Sequence, residues 1–267
     1  MNARWTTALL ALLLLVPGCS AGAAGAAPLT RYYDVRQLID AVAAQERADG
    51  TARFSLRGEL VGAGDSRLRF TGVGALRFGE QDVELSFTQV VTQRGAEAQE
   101  TGFVVLSDAV YLRLPHTPGG DGDRPWVRVD PADTTPEARQ RVALARSVTE
   151  RADPTSALAD YADATLVTDA ADAVIEGDPA IRYTIVTDLA RAADITPDAD
   201  LRAQLEQQVR GGLTRVTSTL WVDAAHRPLR SEASQELPVI GTLTVTSTFR
   251  DWGATAPVEP PPADQVR

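Results

Sequence analysis

Apolar and polar residues alternate one by one in many separate runs of this chain, and this pattern constrains the fold more than any other feature. In the run 51–60, Phe54 and Leu56 alternate with Arg53 and Arg57. Such alternation is typical of antiparallel strands that bury one face and expose the other. Comparable runs lie at 68–78, 83–88, 102–106, 109–114, 165–175, 181–185, 216–222, 229–237 and 242–249.

Helical spacing interrupts the strands at a few places. Asp34 is a predicted N-cap, apolar residues follow it at helical spacing, and Gly50 ends the run. Further helices are predicted over 136–151, 154–161 and about 198–211. The order of strands, helices and strands predicts an α+β fold. We expect one strongly curved antiparallel sheet, a half-barrel of about 10–11 strands, with helices covering its concave face.

The start of the chain indicates export. Arg4 precedes the apolar run 8–16, which is too short to span a bilayer as a mature helix and is typical of a secretory signal. Val16-Pro17-Gly18-Cys19 resembles the bacterial lipoprotein signal, in which cleavage falls just before an acylated cysteine. We therefore expect a signal peptide over 1–18 and lipidation of Cys19, the single cysteine of the chain. The alternative is an ordinary secreted protein with a stray thiol.

Low-complexity segments predict the limits of the folded part. Residues 19–30 are small and uncharged and read as the lipidated cysteine with a flexible tether. Residues 255–267 are rich in proline and read as a tail. The segment 31–254 is then one domain.

Composition excludes several classes of function. The chain has 36 acidic and 26 basic residues, all of the latter arginine, for a net charge of −10, which argues against nucleic-acid binding. With one cysteine and two histidines, a disulfide within the chain and Cys-rich zinc sites are excluded. We expect no metal and no cofactor.

Catalytic motifs are scarce, and the sequence predicts a protein that is not an enzyme. There is no G-x-S-x-G elbow, and His116 and His226 both lie in turn-like sequence. The run 119–123 resembles a calcium loop, but residues 124–126 (Arg-Pro-Trp) stand where further oxygen ligands would be needed. A hydrolase using either histidine is the least favoured hypothesis.

The predicted sheet carries more inward apolar side chains than the predicted helices can cover. They are either a filled core or the lining of a lipid-sized cavity, and the pattern alone leaves both open. The tentative lining residues are Phe54, Leu56, Phe70, Leu76, Phe78, Leu85, Phe87, Val110, Leu112, Leu220, Val245 and Phe249.

Dispersed strand-level features resemble the actinobacterial lipoproteins of the LppX/LprAFG group. They cover the whole exported part of the chain, and no catalytic residue is among them. The resemblance is carried by TARFSLRG at 51–58, VYLRL at 110–114, PWVRV at 125–129, LWVD at 220–223, HRPLR at 226–230 and FRDWG at 249–253. The framework residues it identifies are Tyr111, Leu112, Trp126, Trp221, Asp223, Arg230, Asp251, Trp252 and Gly253.

This resemblance implies a half-barrel closed by helices, similar to the periplasmic lipoprotein carriers of Gram-negative bacteria (LolA and LolB). It implies an apolar cavity that holds acyl chains of envelope lipids or glycolipids. We therefore expect a monomeric lipid carrier anchored through Cys19 to the outer face of the cell membrane, with a membrane transporter as a further partner. The alternative is a non-enzymatic structural or partner-binding envelope lipoprotein with a filled core.

Overall fold

The computed structural model describes residues 28–62, 66–80, 82–113, 124–237 and 240–267. The predicted signal peptide, Cys19, most of the tether, His116 and the calcium-like run 119–123 lie outside the described residues. The predictions made for them therefore stay predictions.

Eleven strands and five α-helices form within the described residues. The strands are β1 Thr51–Val61, β2 Arg67–Phe78, β3 Val83–Gln93, β4 Gln99–Val105, β5 Val110–Arg113, β6 Trp126–Val129, β7 Thr165–Ile175, β8 Asp178–Asp188, β9 Arg215–Asp223, β10 Pro228–Leu237 and β11 Gly241–Arg250. The helices are α1 Val35–Asp49, α2 Pro136–Ala152, α3 Ser156–Asp160, α4 Leu189–Ile195 and α5 Ala199–Arg210. Short 3₁₀ turns occupy Ala162–Ala164 and Ala263–Gln265.

All eleven strands belong to one sheet, in the order β6-β5-β4-β3-β2-β1-β11-β10-β9-β8-β7. Every neighbouring pair of strands is antiparallel. The first and last strands pair with each other, so the strands before and after the helical middle form the two halves of the sheet. Among the described strands, β6 and β7 are the edges, and the sheet is open. The predicted antiparallel sheet of about 10–11 strands is confirmed.

The alternation along β1 sets the inward face of the sheet. Ala52, Phe54 and Leu56 are buried, whereas Arg53 and Arg57 on the opposite face are exposed. Because side chains point to opposite faces in turn, the residues paired with Phe54 on both neighbours also face inward. Those residues are Gly74 of β2 and Phe249 of β11.

Helix α1 begins and ends where the sequence predicts. The Asp34 carboxylate accepts a hydrogen bond from the Gln37 backbone N–H at 3.0 Å, and Gly50 adopts φ 75° and closes the last turn. Its apolar face packs on β8 and β9, where Leu38 and Val42 are fully buried with Tyr183 and neighbouring residues.

Helix α2 covers the other half of the sheet through small side chains. Ala138, Ala145 and Ala152 recur every seven residues and pack on the inward side chains of strands β1 to β6. Leu144 on the same helix is 44% exposed. An alanine stripe brings the helix close to the sheet and leaves little space beneath it.

The segment Leu189–Ile195, for which no helix is predicted, forms helix α4. Asp188 caps it by accepting hydrogen bonds from the backbone N–H groups of Ala190 and Arg191. Helices α4 and α5 pack against each other through a small cluster that includes Leu189 and Leu205.

Residues on both sides of the segment 31–254 contact the folded part of the chain. Ala256 and Val258 are buried on the outer face of the sheet, against Ala75. The terminal Arg267 exchanges backbone hydrogen bonds with the edge strand β6. At the other end, the Thr30 carbonyl accepts a hydrogen bond from the Tyr183 hydroxyl. The tail thus packs on the domain because the outward side chain of Ala75 is small enough to be covered.

Gly72 and Gly74 do not mark a β-bulge. The pairing of β2 with both neighbours is regular through these residues. A Cβ atom at Gly74 would come within 2.5 Å of the Phe54 ring, so the glycine provides room for that ring. Register shifts occur elsewhere, between Val167 and Asp169 and between Pro228 and Arg230.

Candidate functional site

Most of the predicted lining residues form a filled core rather than a cavity wall. Nine of the twelve are buried in one cluster with the alanines of α2. Phe70 and Val245 are partly buried against that cluster, and Leu220 belongs to the second core under α1. The nine are Phe54, Leu56, Leu76, Phe78, Leu85, Phe87, Val110, Leu112 and Phe249.

Aromatic rings occupy the space over β1 to β4. The rings of Phe54 and Phe87 stack with centroids 5.4 Å apart, and Phe87 and Phe103 lie 6.4 Å apart. Phe87 lies beside Gly72, as Phe54 does beside Gly74, where a Cβ atom would overlap the ring. Phe54 and Phe87 therefore each have a glycine next to the ring, which leaves room for these side chains in the packed core.

A cavity of about 410 Å³ lies over the other half of the sheet, on β9, β10 and β11. Its floor consists of adjacent small side chains. Ser218 pairs with Ala233, which pairs with Val245, and in the next row Ser231 pairs with Ser247. Because these side chains are short, the space above them is not filled by the strands themselves.

The end of α2, the connection after it and α3 lie over this floor and form the cover of the cavity. Glu150, Arg151, Pro154 and Leu158 line the cavity from that side. Tyr161, Thr187 and Leu189 close one end of it, beside Val216 and Leu243 of the sheet. The cavity is therefore a space between the sheet and its helical cover, with apolar and small polar walls.

Charged residues line the cavity from the cover, Glu150 and Arg151, and from β10, Glu232. Burial raises the pKa of the Glu150 carboxyl, and the nearby Asp160 raises it further. Burial also raises the pKa of the Tyr161 hydroxyl. Arg151 is held on α2 by hydrogen bonds of 2.8 Å to the Ser147 carbonyl and hydroxyl. These groups suit a polar end of a ligand, while the floor suits hydrocarbon.

Two of the predicted lining residues, Leu220 and Val245, are at the cavity. The other ten do not line this cavity; nine of them lie in the cluster with the α2 alanines, and their role as lining residues stays a prediction. Sequence reasoning missed most of the floor. Its signal was a row of small inward residues at matching positions on successive strands: Ser218, Ser231, Ala233 and Ser247.

His226, the histidine within the described residues, does not line the cavity. His226 adopts φ 66° in the turn between β9 and β10, as its turn-like sequence predicts. Its Nε2 atom lies 3.1 Å from the Tyr32 hydroxyl. This contact joins the chain before α1 to the turn.

Within the described part of the chain, no group of three or more His, Cys, Asp or Glu side chains is placed to hold a metal ion. No helix there is long and apolar enough to cross a membrane.

Comparisons with known proteins give likenesses in structure. No protein-family model and no curated protein matches the chain. Among solved structures, LprF from Mycobacterium bovis matches over 86% of this chain and 99% of its own, at 14% identity and a TM-score of 0.44. LprF carries the name of the LppX/LprAFG group that the strand-level features resemble.

Two further solved structures are similar over most of the chain. The MucA/MucB complex of Pseudomonas aeruginosa matches over 81% of this chain and 55% of that one, at 14% identity and a TM-score of 0.35. The LolA superfamily protein NE2245 from Nitrosomonas europaea matches over 83% and 93%, at 8% identity and a TM-score of 0.29.

Proposed function

We propose that this chain is a cell-envelope lipoprotein that binds and carries lipid or glycolipid acyl chains in the cavity over β9–β11. The observation that carries the proposal is the cavity itself. Its volume of about 410 Å³ lies in the range of roughly 300–1,000 Å³ typical of sites for small molecules. The aliphatic walls Leu220, Leu243 and Val245 suit hydrocarbon.

The driving force is the removal of hydrocarbon from water. Each methylene buried in such a space contributes about 0.8 kcal/mol. The serine hydroxyls of the floor are spread among aliphatic side chains, so they leave the surface mainly apolar. The chain thus works by binding and release, and no bond is made or broken.

In this proposal the sheet curves around the helices as a half-barrel, and α1, α2 and α3 cover its concave face. The packing of Leu38 and Val42 on β8 and β9 supports it. So does the packing of Ala138 and Ala145 on the inward side chains of the opposite half.

The anchor is part of the same proposal. Acylation of Cys19 after removal of residues 1–18 would hold the chain on the outer face of the cell membrane. Two or more acyl chains anchor a protein stably, whereas one is marginal. A residual tether of about ten residues before Pro28 would keep the cavity within reach of the bilayer. A membrane transporter is the expected partner for loading or release.

One observation favours the alternative of a partner-binding lipoprotein without lipid cargo. The half of the sheet over β1 to β5 is filled by its own side chains. A chain that binds only a protein partner would need no cavity, and the space over β9–β11 would then hold water.

Extraction of bound lipid separates the two functions. The full chain is purified from membranes in mild detergent, its non-covalent lipids are extracted into organic solvent, and they are identified by mass spectrometry. Acyl chains attached to Cys19 stay with the protein, and a Cys19→Ala variant removes them. We expect stoichiometric lipid with both proteins. Lipid at the level of an unrelated membrane protein would refute the carrier function.

A further inference from the structure

The cover of the cavity is attached to α1 through Thr155. Glu150, Arg151 and Pro154 line the cavity. Next to Pro154, the Thr155 hydroxyl contacts the carboxyl group of Glu46 on α1 and that of Asp153. Whatever holds Asp153 and Thr155 in place therefore also holds the wall of the cavity.

Two buried carboxyl groups share one hydroxyl at this contact. The Thr155 Oγ1 atom lies 3.0 Å from Glu46 Oε2 and 2.8 Å from Asp153 Oδ1. All three residues are buried, at 3–4% exposure. A hydroxyl has one hydrogen and can donate a full hydrogen bond to one carboxylate only. The second short contact therefore requires a carboxyl group that carries its own proton and donates it to Oγ1.

The proton belongs on Glu46. Asp153 Oδ1 also accepts a hydrogen bond from the Thr155 backbone N–H at 2.9 Å, which favours the ionised aspartate. Glu46 has no such donor, and its Oε1 atom is buried without a partner. Burial, and then the negative charge of Asp153, raise the pKa of Glu46 to about 9.

The charged groups around Glu46 come from three elements. Arg47 on α1 is the one basic group that favours its ionised form. Asp153 faces it from the end of α2. Glu80 and Asp82, in the turn between β2 and β3, line a pocket of about 270 Å³ beside both carboxyl groups. Acidic groups thus outnumber the single arginine, which agrees with a neutral Glu46.

We propose that the protonated Glu46 carboxyl, joined through Thr155 to Asp153, is a clasp that keeps the cover closed and releases it as pH rises. This inference rests on the proposed function, because it regulates access to the same cavity. In the closed state Glu46 holds a proton. When the cover opens, the carboxyl meets water and titrates as an ordinary glutamic acid.

Proton linkage sets the direction and the size of the effect. Between the ordinary value of 4.5 and about 9, the closed state binds one proton more than the open state. The opening equilibrium constant therefore rises by up to about tenfold for each pH unit in this range. Closure is most stable in acid, and the dependence spans neutral pH.

Amide hydrogen exchange of the full chain in mild detergent tests the clasp without any lipid. After correction for the intrinsic pH dependence of exchange, we expect protection over residues 150–158 to fall by up to tenfold per pH unit from pH 6 to 8. The Glu46→Gln variant, which keeps a neutral donor, should show a clearly shallower fall, because only Glu150 and Asp153, whose pKa values burial also raises, still titrate on opening. Glu137→Gln on the exposed face of α2 is the control and should behave as the wild type. The same pH dependence in wild type and Glu46→Gln would overturn the proposal.

A second pair of variants protects the test against misfolding. Thr155→Ser keeps the hydroxyl group and should keep the pH dependence. Thr155→Val removes the hydroxyl group and should lower the protection against hydrogen exchange at every pH. Release of a neutral pyrene-labelled diacylglycerol should accelerate with pH more steeply in wild type than in Glu46→Gln. If protection depends on pH but the labelled lipid does not bind, the clasp is upheld and the carrier function is refuted. Equal protection in Thr155→Ser and Thr155→Val would refute the clasp.

Discussion

The ring of Phe54 lies beside Gly74 on the neighbouring strand, so close that a Cβ atom there would be 2.5 Å from the ring carbon Cε1. On the other half of the sheet, Ser218 lies opposite Ala233, and both line the cavity. Space thus remains where the inward side chains of neighbouring strands are small, and it is filled where they are large.

Filling the cavity should abolish lipid binding. An indole at position 218, in Ser218→Trp, would project from the floor into the cavity of about 410 Å³. We expect several-fold less co-purifying lipid, with a loss of no more than about 1–3 kcal/mol in the free energy of unfolding. Thr246→Trp, on the outer face of β11, is the matched control and should keep its lipid. Equal lipid loads in the two variants would place the ligand elsewhere.

A single methyl group should destabilise the packed core around Phe54. In Gly74→Ala the new Cβ meets the Phe54 ring and also the Ser86 carbonyl oxygen, both at 2.5 Å. Because the carbonyl belongs to the backbone, it cannot move easily, and we expect a loss of about 1–3 kcal/mol in urea denaturation. Val73→Ala next to it, where the side chain is 59% exposed, should cost less than about 1 kcal/mol. A neutral Gly74→Ala would show that Phe54 does not fill this space.

The C-terminal segment should contribute to stability. Val258 is 2% exposed, and burying such a side chain contributes about 1.5–3 kcal/mol. Val258→Ala should lose a large part of that amount in denaturant titration. Val174→Ala, at a position that is 67% exposed, provides the comparison and should change little. If both variants unfold at the same denaturant concentration, the segment is a free tail, as its proline content suggests.

An ion pair between α1 and the turn after β9 should matter more than those on the surface. Arg227 donates two hydrogen bonds of 2.7 Å to the carboxylate of Asp49. Arg227→Lys cannot make both, and we expect a loss of about 1.5 kcal/mol near neutral pH. Arg36→Lys, which affects an exposed pair with Asp163, should cost less than about 1 kcal/mol.

Acid should remove the contribution of that pair. The two hydrogen bonds from Arg227 lower the pKa of Asp49 below its ordinary value of 3.8. The stabilisation is therefore complete above the ordinary pKa and is lost as pH falls through the lowered one. The difference in unfolding free energy between wild type and Arg227→Lys should shrink below about pH 3.8. A difference that is constant with pH would mean that the pair does not stabilise the fold.

The strand pattern and α1 could be predicted because their signals are local. Alternation around Phe54 and the caps Asp34 and Gly50 fix elements from a few neighbouring residues. Helix α4, from Leu189 to Ile195, is too short for its spacing to stand out beside a strand.

The position of the cavity depends on contacts between distant parts of the chain. From sequence alone, an inward Phe87 can line a cavity or belong to a core. In the structure it is buried in the core together with the alanines of α2. The docking of Val258 likewise depends on Ala75, far away in sequence. The burial of Glu46 could not be predicted from the polar sequence of α1, because nothing near it in sequence indicates Thr155 as its partner.

Photo-cross-linking with a diazirine-bearing hexadecanoic acid tests most directly whether the cavity over β9–β11 holds acyl chains. The full chain in mild detergent is irradiated with the probe, digested and mapped by mass spectrometry. We predict adducts on the peptides that contain Ser218, Ala233 and Val245 and on those of the α2–α3 connection, with competition by unlabelled hexadecanoic acid. Competable adducts confined to β2–β5, or no competable adducts at all, would contradict the account.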